Sequence, residues 1–431
     1  MGAIAGFLRR VWVFLPFTLP LWLAPSLPNL HAQTLRTVCY VGAAFAIPVF
    51  LDLIGGRDPG EAFADEAAAH PRAEYGFMPR LLAFKFVFIQ GLMLYYVWQR
   101  HAVGVDVVIL ALLVGLYYGA VGIAVSHELM HRQNRLDRWL GDLLLILVSY
   151  PQFSIEHVYG HHIRVATPDD PASARLNEPL YAFVPRSVVG GLFGAWEIET
   201  RRLKARGHGW LSPRNRMIWY AVFVAAYYAA AWAFAGVYGL VAVGIQSAVA
   251  IFSLETINYM QHYGLSRKEV APGRYERPDV HHSWNWETRF SGLYFLNLGR
   301  HSEHHRSASR RFDALRELDG QPRLPAGLMP MFLTAMLPPL WFAIMNPRVA
   351  AVREGRPLAD RAKPRVRRRG QVEAVFDRWG GYLMAAMILA LGLATSRLGF
   401  QTSILTFTAV AAALILLRET LVLAPLPAPA D

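Results

Sequence analysis

Three short stretches of this chain concentrate histidine at helical spacing: HELMHR at 127–132, EHVYGHH at 156–162 and RHSEHH at 300–305. A fourth element, NYMQHYG at 258–264, places His262 at the end of an apolar run. On a helix, residues four apart share a face, so His127 and His131 can grip one ion, and the other two clusters offer the same geometry. Taken alone, HELMHR reads equally as the HExxH of a zinc peptidase, with Glu128 as general base, or as one corner of a larger metal site. The peptidase reading leaves seven clustered histidines unexplained. His127, His131, His157, His161, His162, His262, His301, His304 and His305 make nine imidazoles of the fifteen histidines in the chain. Four ligands satisfy one zinc ion, so nine suit two ions, each with four or five nitrogens and an open position. Cys39 is the sole cysteine, which excludes thiolate-held zinc, iron–sulfur clusters and a fused rubredoxin. Imidazole-rich coordination is compatible with iron, copper, zinc or nickel.

The elements that must carry these clusters are apolar. Of 431 residues, 54% are hydrophobic and 17% charged, too apolar a balance for an ordinary soluble protein. Stretches near the roughly 20-residue length of a membrane span occur at 11–29, 37–54, 81–98, 105–126, 218–235 and 238–257. The expected fold is therefore an all-α integral membrane protein with about six transmembrane helices and a histidine-rich metal-binding cap at their ends. The first stretch reads as a retained anchor, since Pro16, Pro20, Pro25 and Pro28 interrupt it and it lacks a convincing cleavage site. Arg9 and Arg10 keep the N-terminus inside. The segments 127–217 and 258–323 carry 12 and 11 Lys/Arg, against Arg36 and Arg100 in the short outer loops, so both segments face the cytoplasm. The net charge of +12 thus reflects topology, and RAKPRVRRR at 361–369 reads as a lipid-headgroup anchor; no nucleic-acid partner is expected. The run 324–346, broken by Pro325, Pro330, Pro338 and Pro339, is expected to lie on or dip into the membrane surface. The organisation is a membrane domain over 1–350, a basic linker over 351–380 and an apolar C-terminal tail over 381–431, where a short helical hairpin could form.

Several of these stretches together resemble the integral-membrane non-haem diiron alkane hydroxylases, relatives of xylene monooxygenase and of membrane fatty-acid desaturases. The resemblance rests on HELMHRQNRLDRWL at 127–140, IEHVYGHHIRVATPDDPASAR at 155–175, NYMQHYGLSR at 258–267, GRYERPDVHHSWN at 273–285 and LGRHSEHH at 298–305, and extends from about residue 36 to MNPRV at 345–349. It implies that the nine histidines named above ligate two iron ions, and His262 gains most from it. It also implies that O2 and two electrons hydroxylate the terminal carbon of a medium- to long-chain alkane, in the bacterial inner membrane. The neighbouring pair His281 and His282 is expected to shape the site without ligating. Met130 and Gln261 stand where family members commonly have Gly and Glu, which bears on substrate rather than on the metal centre. A methyl hydroxylase of alkylaromatics is the alternative within the same chemistry, and a zinc peptidase or a metal transporter lies outside it.

Substrate would enter from the bilayer, into which alkanes partition at about 0.8 kcal/mol per CH2. Phe45 and Phe50, in the second apolar stretch, are candidates for limiting chain length. Glu128, Glu156, Asp169, Asp170 and Glu303 flank the histidines and are candidates for orienting imidazoles or moving protons. The chain carries no Gly-rich nucleotide motif, so the resemblance implies an external rubredoxin or ferredoxin and an NAD(P)H-dependent reductase, drawn in by cytoplasmic arginines.

Overall fold

A computed structural model describes residues 73–100, 104–286, 288, 291–292, 295–356 and 358. The first two apolar stretches, Cys39, Phe45, Phe50, the basic linker from 359 and the C-terminal tail lie outside the described residues. The chain divides into two compact units, and the one formed by Pro59–Glu287 and Phe295–Leu358 carries every element below.

Helices dominate. α1 (Ala73–Arg100) and the run formed by α2 (Val105–Tyr117), a π-helical turn (Tyr118–Gly122) and α3 (Ile123–Met130) are each long and apolar enough to cross a membrane. Phe77, Phe84 and Phe88 on α1 project outward at more than half exposure, as side chains facing lipid would. The third apolar element, α7 (Arg216–His262), is 47 residues long. An unbroken helix of that length would measure roughly 70 Å, twice a bilayer core. It is not unbroken: Gly236 adopts φ 61° and ψ −153°, a conformation open to glycine and costly for other residues. A Cβ on Gly239 would collide with the carbonyl of Ala231, which in a straight helix lies roughly 12 Å away. The chain therefore reverses at Gly236. Tyr227 and Gln246, about equally far from the turn on either side, both hydrogen-bond Gln90 of α1. The two expected spans at 218–235 and 238–257 are thus the arms of one hairpin.

Close approach fixes the second arm against α2 and the π turn that follows it. A Cβ on Gly115 would lie 2.7 Å from the Gln246 carbonyl, and one on Gly119 would lie 2.9 Å from that of Ala250. Two glycines four apart let backbones touch, which is how helices associate where the solvent is itself apolar. Asn215 caps α7 by accepting from the Met217 amide at 2.9 Å. Glu199 of α6 (Leu180–Lys204) clasps the same end through Arg202 and Arg216 at 2.6–3.0 Å.

The segment 127–217, expected as one cap, does more than cover the helix ends. α4 (Arg135–Ile146), capped by Asn134, runs back along α3, where Ser126 Oγ donates to the Gly141 carbonyl at 2.8 Å. Its end reaches Gln246 and Ser247, since the Leu147 carbonyl accepts from Gln246 at 3.3 Å and Ser149 lies 3.1 Å from Ser247. Gln246 is roughly 24 Å below His262 along the helix. The apolar face of WLGDLLLILV thus dips among the spanning helices before α5 (Gln152–Glu156) returns toward the cap. A two-stranded ribbon, β1 (Glu269–Ala271) with antiparallel β2 (Arg274–Tyr275), and α8 (His301–Arg306) complete the cap. α9 (Leu328–Ala335) and α10 (Pro338–Arg353) meet at a bend of 119°, the broken or re-entrant geometry that the prolines of this run foretell.

Two outcomes test this packing. Gly119→Val should force α2 from α7 and lower stability by about 1–3 kcal/mol, whereas Gly76→Ala, where a Cβ meets nothing within 4 Å, should leave the thermal midpoint in detergent unchanged or raised. Burial alone would raise the pKa of Glu199, but hydrogen bonds from Arg202 and Arg216 hold it down at about 2. Its folded pKa lies below its unfolded one, so the clasp stabilises fully above pH ~4.5 and is lost as pH falls toward ~2. Glu199→Gln should therefore cost on the order of 1–2 kcal/mol at neutral pH, allowing for screening at the partly exposed arginines, and the gap from the native midpoint should close on acidification. A constant gap would assign the clasp no titrating role.

Candidate metal centre

Each histidine is delivered by the end of a helix. His127 occupies the last turn of α3 and His131 caps it; His262 is the final residue of α7; His301, His304 and His305 lie on α8. Asn285 sets α8 in place, accepting from the Ser302 amide at 2.9 Å and donating to Ser302 Oγ at 2.7 Å. His157–His161 forms a second π-helical turn. Its wider winding puts the residues four and five on at either side of the starting one, so His161 and His162 diverge.

The nine imidazoles converge as two neighbouring groups. His127, His131, His157, His162 and His304 form one, and His161, His262, His301 and His305 the other, with the ligand atoms of each group within 4.8 Å of one another. Within the first, Nε2 of His157 lies 2.9 Å from that of His127 and 3.1 Å from that of His162. Within the second, Nε2 of His301 lies 3.0 Å from that of His262 and 3.1 Å from that of His305. The groups abut at His162 and His305, whose ring centroids are 4.6 Å apart. The α-helical expectation pairs His157 with His161, but the π turn sends His157 and His162 to one group and His161 to the other.

The donor chemistry suits metal cations. Burial, then repulsion from neighbouring imidazoles, pushes the pKa of His157, His162, His301, His304 and His305 well below the ordinary value, so these rings are neutral with a lone pair to offer. Neutral rings meeting Nε2 to Nε2 cannot all be donor and acceptor at once, whereas a central cation satisfies every lone pair. Nε2 of His131 and His161 is buried without a hydrogen-bond partner. At the opposite nitrogen, His161 Nδ1 lies 2.9 Å from Asp170 Oδ2, and Ser173 Oγ donates to that oxygen at 2.6 Å. Burial works to lower the His161 pKa, but Asp170 overcomes it and holds the ring above its ordinary value. A carboxylate behind an imidazole fixes its tautomer and aims Nε2 at the ion.

The other flanking carboxylates face elsewhere. Glu128 is bound by Arg132 at 2.9 Å and accepts from the Phe312 amide at 3.2 Å. Glu156 pairs with Arg164 at 2.7 Å, and Glu303 is held by Arg310 and the Arg316 amide. Asp169 is exposed. His281 and His282 join neither group: His282 Nδ1 accepts from the Asp279 amide at 2.9 Å in a capping box. Sequence reading passed over Glu255, Tyr150 and Asn258. The signal for Glu255 was an acid inside a 20-residue apolar run.

Beside the histidines lies a narrow apolar cleft between α3, α5 and α7. Ile123, Phe153, Leu254 and Ile257 give it apolar walls, and His127, His157 and His301 border it.

Residues 106–335 match the fatty acid desaturase family. Alkane 1-monooxygenase 2 of Pseudomonas aeruginosa is 39% identical over 323 residues, covering 73% of this chain and 84% of that protein. Alkane 1-monooxygenase 1 of the same organism is 37% identical over 371 residues, 82% and 94% of the two chains. The xylene/toluene monooxygenase hydroxylase component XylM of Pseudomonas putida is 32% identical over 228 residues, 53% and 60% of the two. With apolar spans, a histidine-rich cap and this extent of similarity, the chain belongs to the membrane alkane hydroxylases within the fatty acid desaturase family.

Proposed function

We propose that the protein is an alkane 1-monooxygenase of the bacterial inner membrane, with two iron ions held by its nine clustered histidines. The observation that carries this reading is the apolar cleft bordered by imidazoles from both groups. The group of five is His127, His131, His157, His162 and His304; the group of four is His161, His262, His301 and His305. Iron, when bound, supplies the activation of O2 that amino-acid side chains cannot. The residues do the rest. Ile123, Phe153, Leu254 and Ile257 give the space beside His127, His157 and His301 an apolar lining that suits a hydrocarbon chain and disfavours water. Asp170 keeps His161 in the ligating tautomer.

With α1, the α2–α3 run and the two arms of α7 as four spans, and the apolar sequence stretches at 11–29 and 37–54 read as two more, the positive-inside rule puts the histidine cap on the cytoplasmic side. That side gives access to the electron donor, a rubredoxin or ferredoxin reduced by an NAD(P)H-dependent reductase, and basic residues of the cap favour an acidic carrier. Similarity to XylM supports hydroxylation of an alkylaromatic methyl group as the second reading. Two features weigh against a peptidase on HELMH: Glu128 is engaged by Arg132 and the Phe312 amide, and its two histidines share a group with three others.

The test is metal analysis of the detergent-purified protein together with turnover of dodecane, O2 and NADH through a surrogate rubredoxin system. Two irons per chain and 1-dodecanol are expected. Two irons with product only from xylene would move the assignment to the alkylaromatic reading, and a single zinc would overturn both. Asp170→Asn should weaken metal binding by about 10–100-fold at the group of four, so that purified protein retains about one iron and makes no alcohol. Full metal content and turnover in that variant would remove Asp170 from the site.

A further inference from the structure

Glu255 is an acid buried where acids are costly. It sits within the second arm of α7, about two turns before His262, with 1% of its surface exposed. Tyr150 donates to its Oε1 at 2.9 Å and the Asn258 amide at 3.3 Å, while Oε2 is buried without a hydrogen-bond partner. Ser187 of α6 faces the same carboxyl, and His161 lies within its electrostatic reach. Glu128, Glu156 and Glu303 are each tied to an arginine; among the described residues Glu255 forms no ion pair of that kind. An unpaired acid at this depth does not help a membrane fold, and a hydrophobic side chain of its size would cost less. Its position relative to the site explains it better. Asn258, one turn on, lines the cleft beside His157 and His301, so the carboxyl is one side chain away from the space in which substrate is oxidised.

We infer that Glu255 is the proton donor of the reaction, with Tyr150 and Asn258 as its positioning residues; this rests on the hydroxylase reading above. Hydroxylation consumes an alkane C–H bond, O2, two electrons from the external carrier and two protons. One oxygen atom enters the alcohol and the other leaves as water. The Glu255 carboxyl delivers the two protons one at a time, releasing each from Oε2, through a water beside Asn258, to the oxygen atom that leaves as water, and taking up a proton from the aqueous side between the two transfers. The resulting carboxylate keeps its hydrogen bond from Tyr150 until a proton from the aqueous side restores the acid. Transfer through one water is within the reach of general acid catalysis.

The experiment compares iron-loaded, full-length wild type with Glu255→Gln, Glu255→Asp and Tyr150→Phe. It reads iron content, kcat and KM for dodecane, alcohol formed per O2 consumed, hydrogen peroxide released and the solvent deuterium effect on kcat. Glu255→Gln should keep its iron and its KM, lose about tenfold or more in kcat, and divert O2 to peroxide. Glu255→Asp should recover part of the coupling. Tyr150→Phe should shift it a few-fold in the same direction. A Glu255→Gln enzyme with kcat and coupling within about twofold of wild type would overturn the proposal, as would iron and activity falling in parallel across the variants. If Glu255→Gln fails to accumulate, normal coupling in both Glu255→Asp and Tyr150→Phe overturns it equally. Wild type that makes no alcohol would overturn the hydroxylase reading and the relay with it. Wild type that makes alcohol while Glu255→Gln does so equally well would overturn the relay alone.

Discussion

Nine imidazoles packed against one another at the edge of an apolar bundle are the constraint around which this structure is arranged. As free rings they are a liability: most are too buried to be charged, and their nitrogens face nitrogens, so hydrogen bonds cannot satisfy them all. A cation in each group would answer those lone pairs at once. With cations bound there, ligation and folding of the cap would be one equilibrium, and the free energy of ligation would become free energy of the fold. The hydrogen bonds that hold the cap, from Asn285 to Ser302 and from Asp170 to His161 and Ser173, serve to bring helix ends into register for that purpose.

The same constraint explains the departures from regular helix. An ordinary turn would put His157 and His161 on one face, and the π turn instead divides them between the two groups. The other π turn, Tyr118–Gly122, lies where α2 crosses α7 at Gly119, two turns before His127. The extra residue of a π turn rotates the whole of α3 about its axis, so the winding above that crossing sets the direction in which His127 points. Irregular winding sits at both places where the position of a ligand had to be reconciled with the packing of a span.

Much of this was legible in the residues. Spacing alone gathered the three clusters, composition placed them at the ends of apolar helices, and the reversal at Gly236 agrees with a charge-free turn between two apolar runs. What spacing did not carry is which imidazole joins which group. That depends on a π turn that leaves no periodic trace, since HVYGH reads as well in an α-helix. Asp169 and Asp170 are indistinguishable as letters, and the loop's hydrogen bonds to Ser173 and Ala172 are what turn one inward and leave the other exposed. The dip of α4 was hidden because Arg135, Asp137 and Arg138 at its start mask the apolar face beyond them.

A hydrocarbon has no polar handle, so recognition has to come from the shape of the space beside the histidines and from the direction of entry. The walls are contributed by three separately anchored pieces: α3 is fixed by Ser126 to α4, α5 is carried on the return from the Ser149–Ser247 contact, and α7 is fixed by its hairpin and by its close approach to Gly115 and Gly119. Of these anchors only Gly119 borders the cleft. Leu254 and Ile257 line the cleft from α7, whereas the histidines that border it sit at helix termini.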